Sequence, residues 1–548
     1  MKKIPMKRKQ HRQTIKLNKP RIYYLHIQSD IKYRFATTLV TSKVVNPSNV
    51  AKEAMFDVTL PNEAFISDFL MPRETNRFKV EVNVAAQSKV TFNLTYQELL
   101  YRNLGSYEHV IYIQPGQIVD DMRIDVSILE SPRNELAVIE RPTSKSARIR
   151  YYPNVEDQRA RSEQGINGLF VVEYDLARQV DAGDVLVVDG YFVHFFAPQG
   201  MDPIPKNVLF ILDVSTSMNG KKIKQLKEAM LRVIDDLHEG DHFNIMKFST
   251  GTSFWKSGIV VPATRTNIEQ AKDSMLILKI MLLFLGTNIN EALTFGMDFL
   301  NGLADKEGRA PVVVFLTDGE ASTGVKNLDT ILANVKQRNT EQTPVFSLAF
   351  GRHADYEFVK KVAVQNFGVG RKIYEDSDAA LQIRGFYDEI STTTMKNVTF
   401  KYLDDSVDSE NLTKSNFNSF FDGSEIVVAG KIDDNTIDTL RLAVTGDGIQ
   451  GQVELALSAD IADQPDLTQP GDYAQITEKV WAYMTIKQML EQSIGETDPI
   501  QKARMKQRAL DLSLKEEEYK FVTPLTSMVV TKPDVQDVGD LEEGAEGD

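Results

Sequence analysis

Two apolar runs, Val208-Leu209-Phe210-Ile211-Leu212 and Val312-Val313-Val314-Phe315-Leu316, each lead straight into a hydroxyl- and carboxylate-bearing turn. Short runs this apolar read as strands buried on both faces, and such strands belong to parallel sheets covered by helices. Asp213-Val214-Ser215-Thr216-Ser217 follows the first run and Thr317-Asp318-Gly319 follows the second. Ligands of open α/β sheets bind outside the carboxyl ends of the strands, which is where these side chains fall. A third fragment, Gly286-Thr287-Asn288, reads as a loop. Together Asp213, Ser215, Ser217, Thr287 and Asp318 offer five oxygen-bearing side chains on three loops. A hard divalent cation such as Mg²⁺, or Mn²⁺ or Ca²⁺, takes oxygen ligands and keeps some of its water, leaving a position that a partner's carboxylate can fill. Helix capping is the simpler use of such residues. It needs one of them, and it has no use for Thr287 or Asp318.

From about residue 206 to 388 strands alternate with helices. Ile223, Leu226, Met230, Val233 and Leu237 mark one face of an amphipathic helix. Phe243 to Phe248 and Val345 to Phe350 read as strands; Thr287 to Leu300, Leu328 to Lys336 and Asp355 to Val364 read as helices. The alternation predicts an α/β, doubly wound, mostly parallel sheet. On both sides the text reads as strands, such as Phe78-Lys79-Val80-Glu81-Val82-Asn83-Val84 before it and Val453-Glu454-Leu455-Ala456-Leu457 after it. The expected division is a basic tail (1–21), a β domain (22–130), a β-rich connecting region (131–204), the α/β domain (205–388), a β-rich region (389–475), carboxyl-terminal helices and a terminal strand (476–533), and an acidic tail (534–548).

The 548 residues are too many for one core. There is no cysteine, which excludes disulfide stapling, thiolate metal sites and cysteine nucleophiles. A net charge of −14 argues against broad attraction to nucleic acid or anionic polysaccharide. No membrane span is expected, since Met275 to Leu285 is short and broken by Lys279. The basic amino terminus lacks an apolar stretch and does not read as a signal peptide. Either the protein is intracellular or the gene starts upstream.

The segment Gly190-Tyr191-Phe192-Val193-His194-Phe195-Phe196-Ala197-Pro198, then Lys206-Asn207-Val208 leading into the metal motif, resembles inter-alpha-trypsin inhibitor heavy chains. So does Phe521-Val522-Thr523-Pro524-Leu525-Thr526-Ser527-Met528. Val58 to Ile66 and Val90 to Leu100 resemble strands of that family's amino-terminal VIT module, and 205–388 resembles its von Willebrand factor A domain with a metal-ion-dependent adhesion site. The resemblance implies that Ser215, Ser217 and Thr287 contact the ion, with Asp213 and Asp318 close in or acting through water. It also implies a secreted matrix protein associated with hyaluronan or chondroitin sulfate, esterified through a terminal Asp, here Asp548, and a Kunitz-type light chain as a further partner. After Phe69-Leu70-Met71 the family's text continues through a further strand and a helical segment, whereas this chain passes to Pro72-Arg73-Glu74, so its VIT module looks shortened. An intracellular VIT/A-domain scaffold making metal-dependent protein contacts is the alternative.

Catalysis is not expected. A metal-assisted hydrolase needs a base and a shaped pocket, and the seven histidines are scattered without a paired-ligand spacing. His194 and His242 border apolar segments and read as packed or capping groups. Gly446-Asp447-Gly448-Ile449-Gln450-Gly451 fits a phosphate-binding pattern on paper, but it lies between strands and reads as a hairpin turn. Sequons for N-glycosylation stand at Asn93, Asn397 and Asn411.

Overall fold

The computed structural model describes residues 19–513 apart from 61–64, 67–76, 130–139, 144–145, 177–181, 278–285, 304–307, 352–353, 374–386, 388–390, 404–405, 434–436, 464–474 and 497. The expected segment Phe521 to Met528, the acidic tail with Asp548, and most of Met275 to Leu285 therefore lie outside the described residues.

The two apolar runs become adjacent strands, Lys206–Asp213 and Ala310–Thr317, parallel and in register with Leu212 opposite Leu316. Every residue of the first is buried. His242–Phe248 pairs on its other side, and Val345–Phe350 and Gly370–Ile373 extend the sheet beyond Ala310–Thr317, all parallel. Numbered along the chain, the parallel strands run 2-1-3-4-5 across the sheet. That order reverses between strands one and three, and a crevice opens there at the carboxyl ends. Asp213 and Thr317 sit at that point.

Helices cover both faces. Lys221–Asp235 and Arg265–Leu276 pack on one side, where Leu226, Met230 and Val233 join Phe210 and Phe243 in the core. Ile289–Asn301, Leu328–Arg338 and Tyr356–Gln365 pack on the other. Their starts are fixed by side-chain caps. Asn288, Asn327 and Asp355 each accept a backbone N–H from the first turn, satisfying donors that have no partner inside a helix. Gly296 lets its helix approach closely, since a Cβ there would lie 2.7 Å from Ile211 Cδ1.

The amino-terminal region is mostly β. Its largest sheet is built on Arg21–Lys32, which pairs antiparallel with Phe35–Val45 and parallel with Asp121–Ile128. Ser146–Tyr151 adds to Asp121–Ile128, and Gly168–Tyr174 pairs with Ser106–Ile113, so strands on both sides of residue 130 share sheets. One element there differs from the strand-like reading: Val155–Arg161 is a helix. Its cause is a capping box in which Asn154 accepts from Asp157 N–H while the Asp157 carboxylate accepts from Asn154 N–H.

Beyond the α/β unit, Tyr191–Phe196 lies between Asp184–Val188 and Ile426–Lys431 in a three-stranded sheet. One face, with Phe196, packs on the sheet formed by Asn416–Phe421, Thr393–Tyr402, Thr439–Gly448 and Gly451–Asp460. The opposite face, with Val193 and Phe195, packs on the helix Ile476–Gly495, against which Pro499–Ser513 lies. Gly446 to Gly451 is the hairpin turn between two of these strands, as expected. The α/β unit is inserted between paired strands of this carboxyl-terminal unit, and its entry and exit meet where Ile204 N–H donates to Thr393 O at 2.6 Å. No described helix is long and apolar enough to cross a membrane.

Candidate metal centre

Ser215 leaves the first strand in extended conformation, a short 3-10 turn at Thr216–Met218 follows, and Gly220 at φ +83 turns the chain into the helix. The extended step puts the Ser215 and Ser217 hydroxyls side by side, Oγ to Oγ 2.8 Å. Asp213 is fully buried and held by two donors: Ser215 N–H to Oδ1 at 2.9 Å and the Thr317 hydroxyl to Oδ2 at 2.6 Å. Burial pushes its pKa up to about 6, against the lowering effect of the Ser215 and Thr317 bonds, and the nearby Asp318 adds to the rise. The Thr317 hydroxyl is engaged in positioning, donating to Asp213 and accepting from Gly319 N–H at 3.0 Å.

Asp318 is fully buried too. Its Oδ2 meets Lys222 Nζ at 3.1 Å, and the same ammonium lies 3.3 Å from Ser217 O. Its Oδ1 is buried with no hydrogen-bond partner among the described residues. Gly319 makes the turn behind it at φ +84, where a Cβ would meet Asp355 O at 3.0 Å.

Thr287, 3% exposed, reaches the same sheet edge through its backbone. Its N–H donates to Ser322 Oγ, its carbonyl accepts from Ser322 and Thr323, and Asn288 N–H donates to the carbonyl of Ser249, just past the His242–Phe248 strand. Gly286 has no room for a side chain there, with Thr323 Oγ1 1.7 Å from where a Cβ would stand.

The donor set fits a hard cation. It offers oxygen only, one carboxylate oxygen lies buried without a partner, and Lys222 shows that positive charge is accommodated beside Asp318. Among the described residues no three His, Cys, Asp or Glu side chains gather in a metal-sized group, so hydroxyls would carry much of the coordination. Lys222 and Ser322 escaped the sequence reading because tertiary contact alone brings them in, whereas Thr317 stood in the quoted motif without a role of its own.

The histidines have other work. His194 is buried between Ala182 O and the Tyr402 hydroxyl, and His242 approaches Gly240 O. Ser29, His109 and Glu98 line up as a serine-hydrolase relay would, at 2.8 and 2.7 Å. All three are at most 4% exposed, so this relay is a core hydrogen-bond chain that no substrate reaches. Asn93 and Asn397 are exposed, and Asn411 is half-buried with its amide donating to Asp408.

Two families match parts of the chain: the von Willebrand factor type A domain at residues 207–389 and the vault protein inter-alpha-trypsin domain at 22–75. The chain is 35% identical to the Bos taurus protein "Inter-alpha-trypsin inhibitor heavy chain H4" over 95% of its own length and 62% of that protein's. It is 36% identical to heavy chain H3 of Rattus norvegicus, over 94% of this chain and 64% of that one. Heavy chain H4 of Homo sapiens is 35% identical over 95% and 62%. The chain thus spans less than two thirds of the length of these relatives.

Proposed function

Because the chain belongs to the inter-alpha-trypsin inhibitor heavy chain family, with its VIT and von Willebrand factor A domains, we propose that it is a non-enzymatic, secreted, heavy-chain-like protein of the extracellular matrix. In this reading its A domain binds a divalent cation, Mg²⁺ or else Mn²⁺ or Ca²⁺, and the chain carries or stabilises hyaluronan. The observation that supports it most is the meeting of Asp213 and Asp318 at the sheet's switch point, the latter with an unpartnered buried oxygen.

The ion would rest on the Ser215, Ser217 and Thr287 hydroxyls, with Asp213 and Asp318 close in or acting through water. Bound there, it supplies an exchangeable position for a carboxylate of a protein ligand. The chain's own residues do the positioning. Thr317 and the Ser215 N–H fix the Asp213 carboxylate, and the Ser322 contacts hold the Thr287 loop against the sheet edge. Calorimetric titration of Mg²⁺ should show binding to the wild type and none to a Ser215→Ala, Asp318→Ala double variant. Equal binding in both would remove the site.

The carrier role belongs to Asp548, as the bearer of a chondroitin sulfate ester passed on to hyaluronan, with a Kunitz-type light chain as a further partner. An acidic protein of net charge −14 would hold a polyanion poorly without such a covalent link. The mass of the native chain, before and after chondroitinase and mild alkali, tests this. A glycosaminoglycan remnant on the Asp548 α-carboxyl is expected. A bare terminus with empty sequons at Asn93, Asn397 and Asn411 would instead favour the intracellular scaffold.

A further inference from the structure

At the end of the α/β sheet opposite the metal centre lies a cavity of about 490 Å³, within the roughly 300–1,000 Å³ of small-ligand sites. One wall comes from the α/β unit, with Asn207, Arg309 and Gln342; the other comes from the carboxyl-terminal β unit, with Asn418, Phe421 and Asn397. The two walls meet at Phe421, which packs edge-on to Phe346 of the α/β core, and more loosely where Asn418 Nδ2 lies 3.4 Å from Gln342 O. Carboxamides, a guanidinium and an aromatic ring are groups suited to the hydroxyls and apolar faces of sugar rings. One of the lining residues, Asn397, is itself the acceptor of a sequon, Asn397-Val398-Thr399. It is exposed, and its backbone stands at φ +54, a conformation asparagine tolerates better than most residues. Its Nδ2 donates to Asp447 Oδ2 at 2.7 Å. A glycosylated amide nitrogen keeps one N–H, so a donor remains on Nδ2 after modification.

We propose that Asn397 carries an N-linked glycan whose first sugar rings lie in this cavity and brace the α/β unit against the carboxyl-terminal β unit. The transfer forms a bond between sugar C1 and Nδ2 and breaks the C1–O bond to a lipid-pyrophosphate donor. The amide proton and the lipid pyrophosphate are released. The proposal rests on the secreted reading, because that donor works in the secretory pathway. Asn93, exposed on the Lys89–Leu99 strand, does not line this cavity and serves as the uncradled comparison.

The test uses the full chain expressed in animal cells behind a cleavable secretion leader, so its outcome does not depend on where the native chain resides. Glycopeptide mass mapping should find Asn397 occupied. In the native protein a glycan amidase should release that glycan at least ten times more slowly than after unfolding, with Asn93 showing no such protection. Thr399→Ala, which abolishes the sequon without touching the left-handed Asn397, should lower Tm by about 2–4 °C, and Thr399→Ser should restore both glycan and Tm. An empty Asn397, or an occupied one that is cleaved as readily as Asn93 with Tm unchanged by Thr399→Ala, overturns the proposal. Fractionation of native tissue decides the secreted reading separately.

Discussion

Lys222 reaches Asp318 from the first turn of the Lys221–Asp235 helix, and an ammonium 3.1 Å from that carboxylate is a competitor for any arriving cation. Unit charges about 4 Å apart interact by roughly 4 kcal/mol at an effective dielectric of about 20, so even partial relief of the contest is measurable. Lys222→Met removes the competitor and leaves Asp318 without its counter-charge in the metal-free protein, and both effects favour the ion. Mg²⁺ should bind about tenfold more tightly to this variant, close to 1.4 kcal/mol, in the same calorimetric titration. An unchanged or weaker Kd would mean that the ammonium does not contest the site. The five proposed ligand positions were legible because each follows an apolar run or interrupts a loop. Lys222 was not, since a lysine five residues beyond Ser217 looks like any exposed lysine at a helix start.

The Tyr191–Phe196 strand is apolar toward both of its faces, and its alternate residues serve different cores: Val193 and Phe195 the helix side, Phe192, His194 and Phe196 the sandwich side. Full burial drives the His194 pKa down to about 4, opposed by its bond to Ala182 O, so the folded chain keeps the ring neutral. The unfolded chain takes up the proton near its ordinary value of about 6.5. This residue's contribution is therefore full above about pH 6.5 and is lost as pH falls toward 4, on the order of 3 kcal/mol in all. His194→Gln should flatten that part of the acid limb in chemical denaturation curves, and an equally steep limb would refute the assignment. Sequence pattern showed this strand, yet not its neighbours. An apolar run reports burial and says nothing of whether Asp184–Val188 or Ile426–Lys431 lies alongside. The Val155–Arg161 helix was the reverse case: its Asn154 and Asp157 capping pair was legible, and the surrounding β-like text masked it.

Arg34 ties the amino-terminal region to the carboxyl-terminal unit. It is 6% exposed at φ +62, bonds Asp184 at 3.1 Å, lies 3.7 Å from Glu425, and sits over the Phe195 ring at 4.2 Å. Tyr107 completes the cluster, donating to Glu425 at 2.6 Å. Removing one partner of a buried pair costs about 3–5 kcal/mol because the other charge stays buried. Arg34→Ala should lose stability of that order and split thermal unfolding into separate transitions for the two regions. A single transition at an unchanged Tm would show that other contacts join them. Domain order could be read from the changes in pattern along the chain, but this joint could not, since it assembles residues from four distant segments.

The insertion of the α/β unit between two paired strands also has a consequence in time. Tyr191–Phe196 leaves the ribosome long before Ile426–Lys431, the strand it must pair with. At about 5–20 residues per second the wait is on the order of tens of seconds, during which a ribbon apolar on both faces has an open edge. The α/β unit, complete in itself, folds within that interval. Its closing end then delivers Thr393 to Ile204 and sets the late strands beside the early ones. The nascent chain thus has to be shielded from its neighbours on the polysome until synthesis passes Lys431.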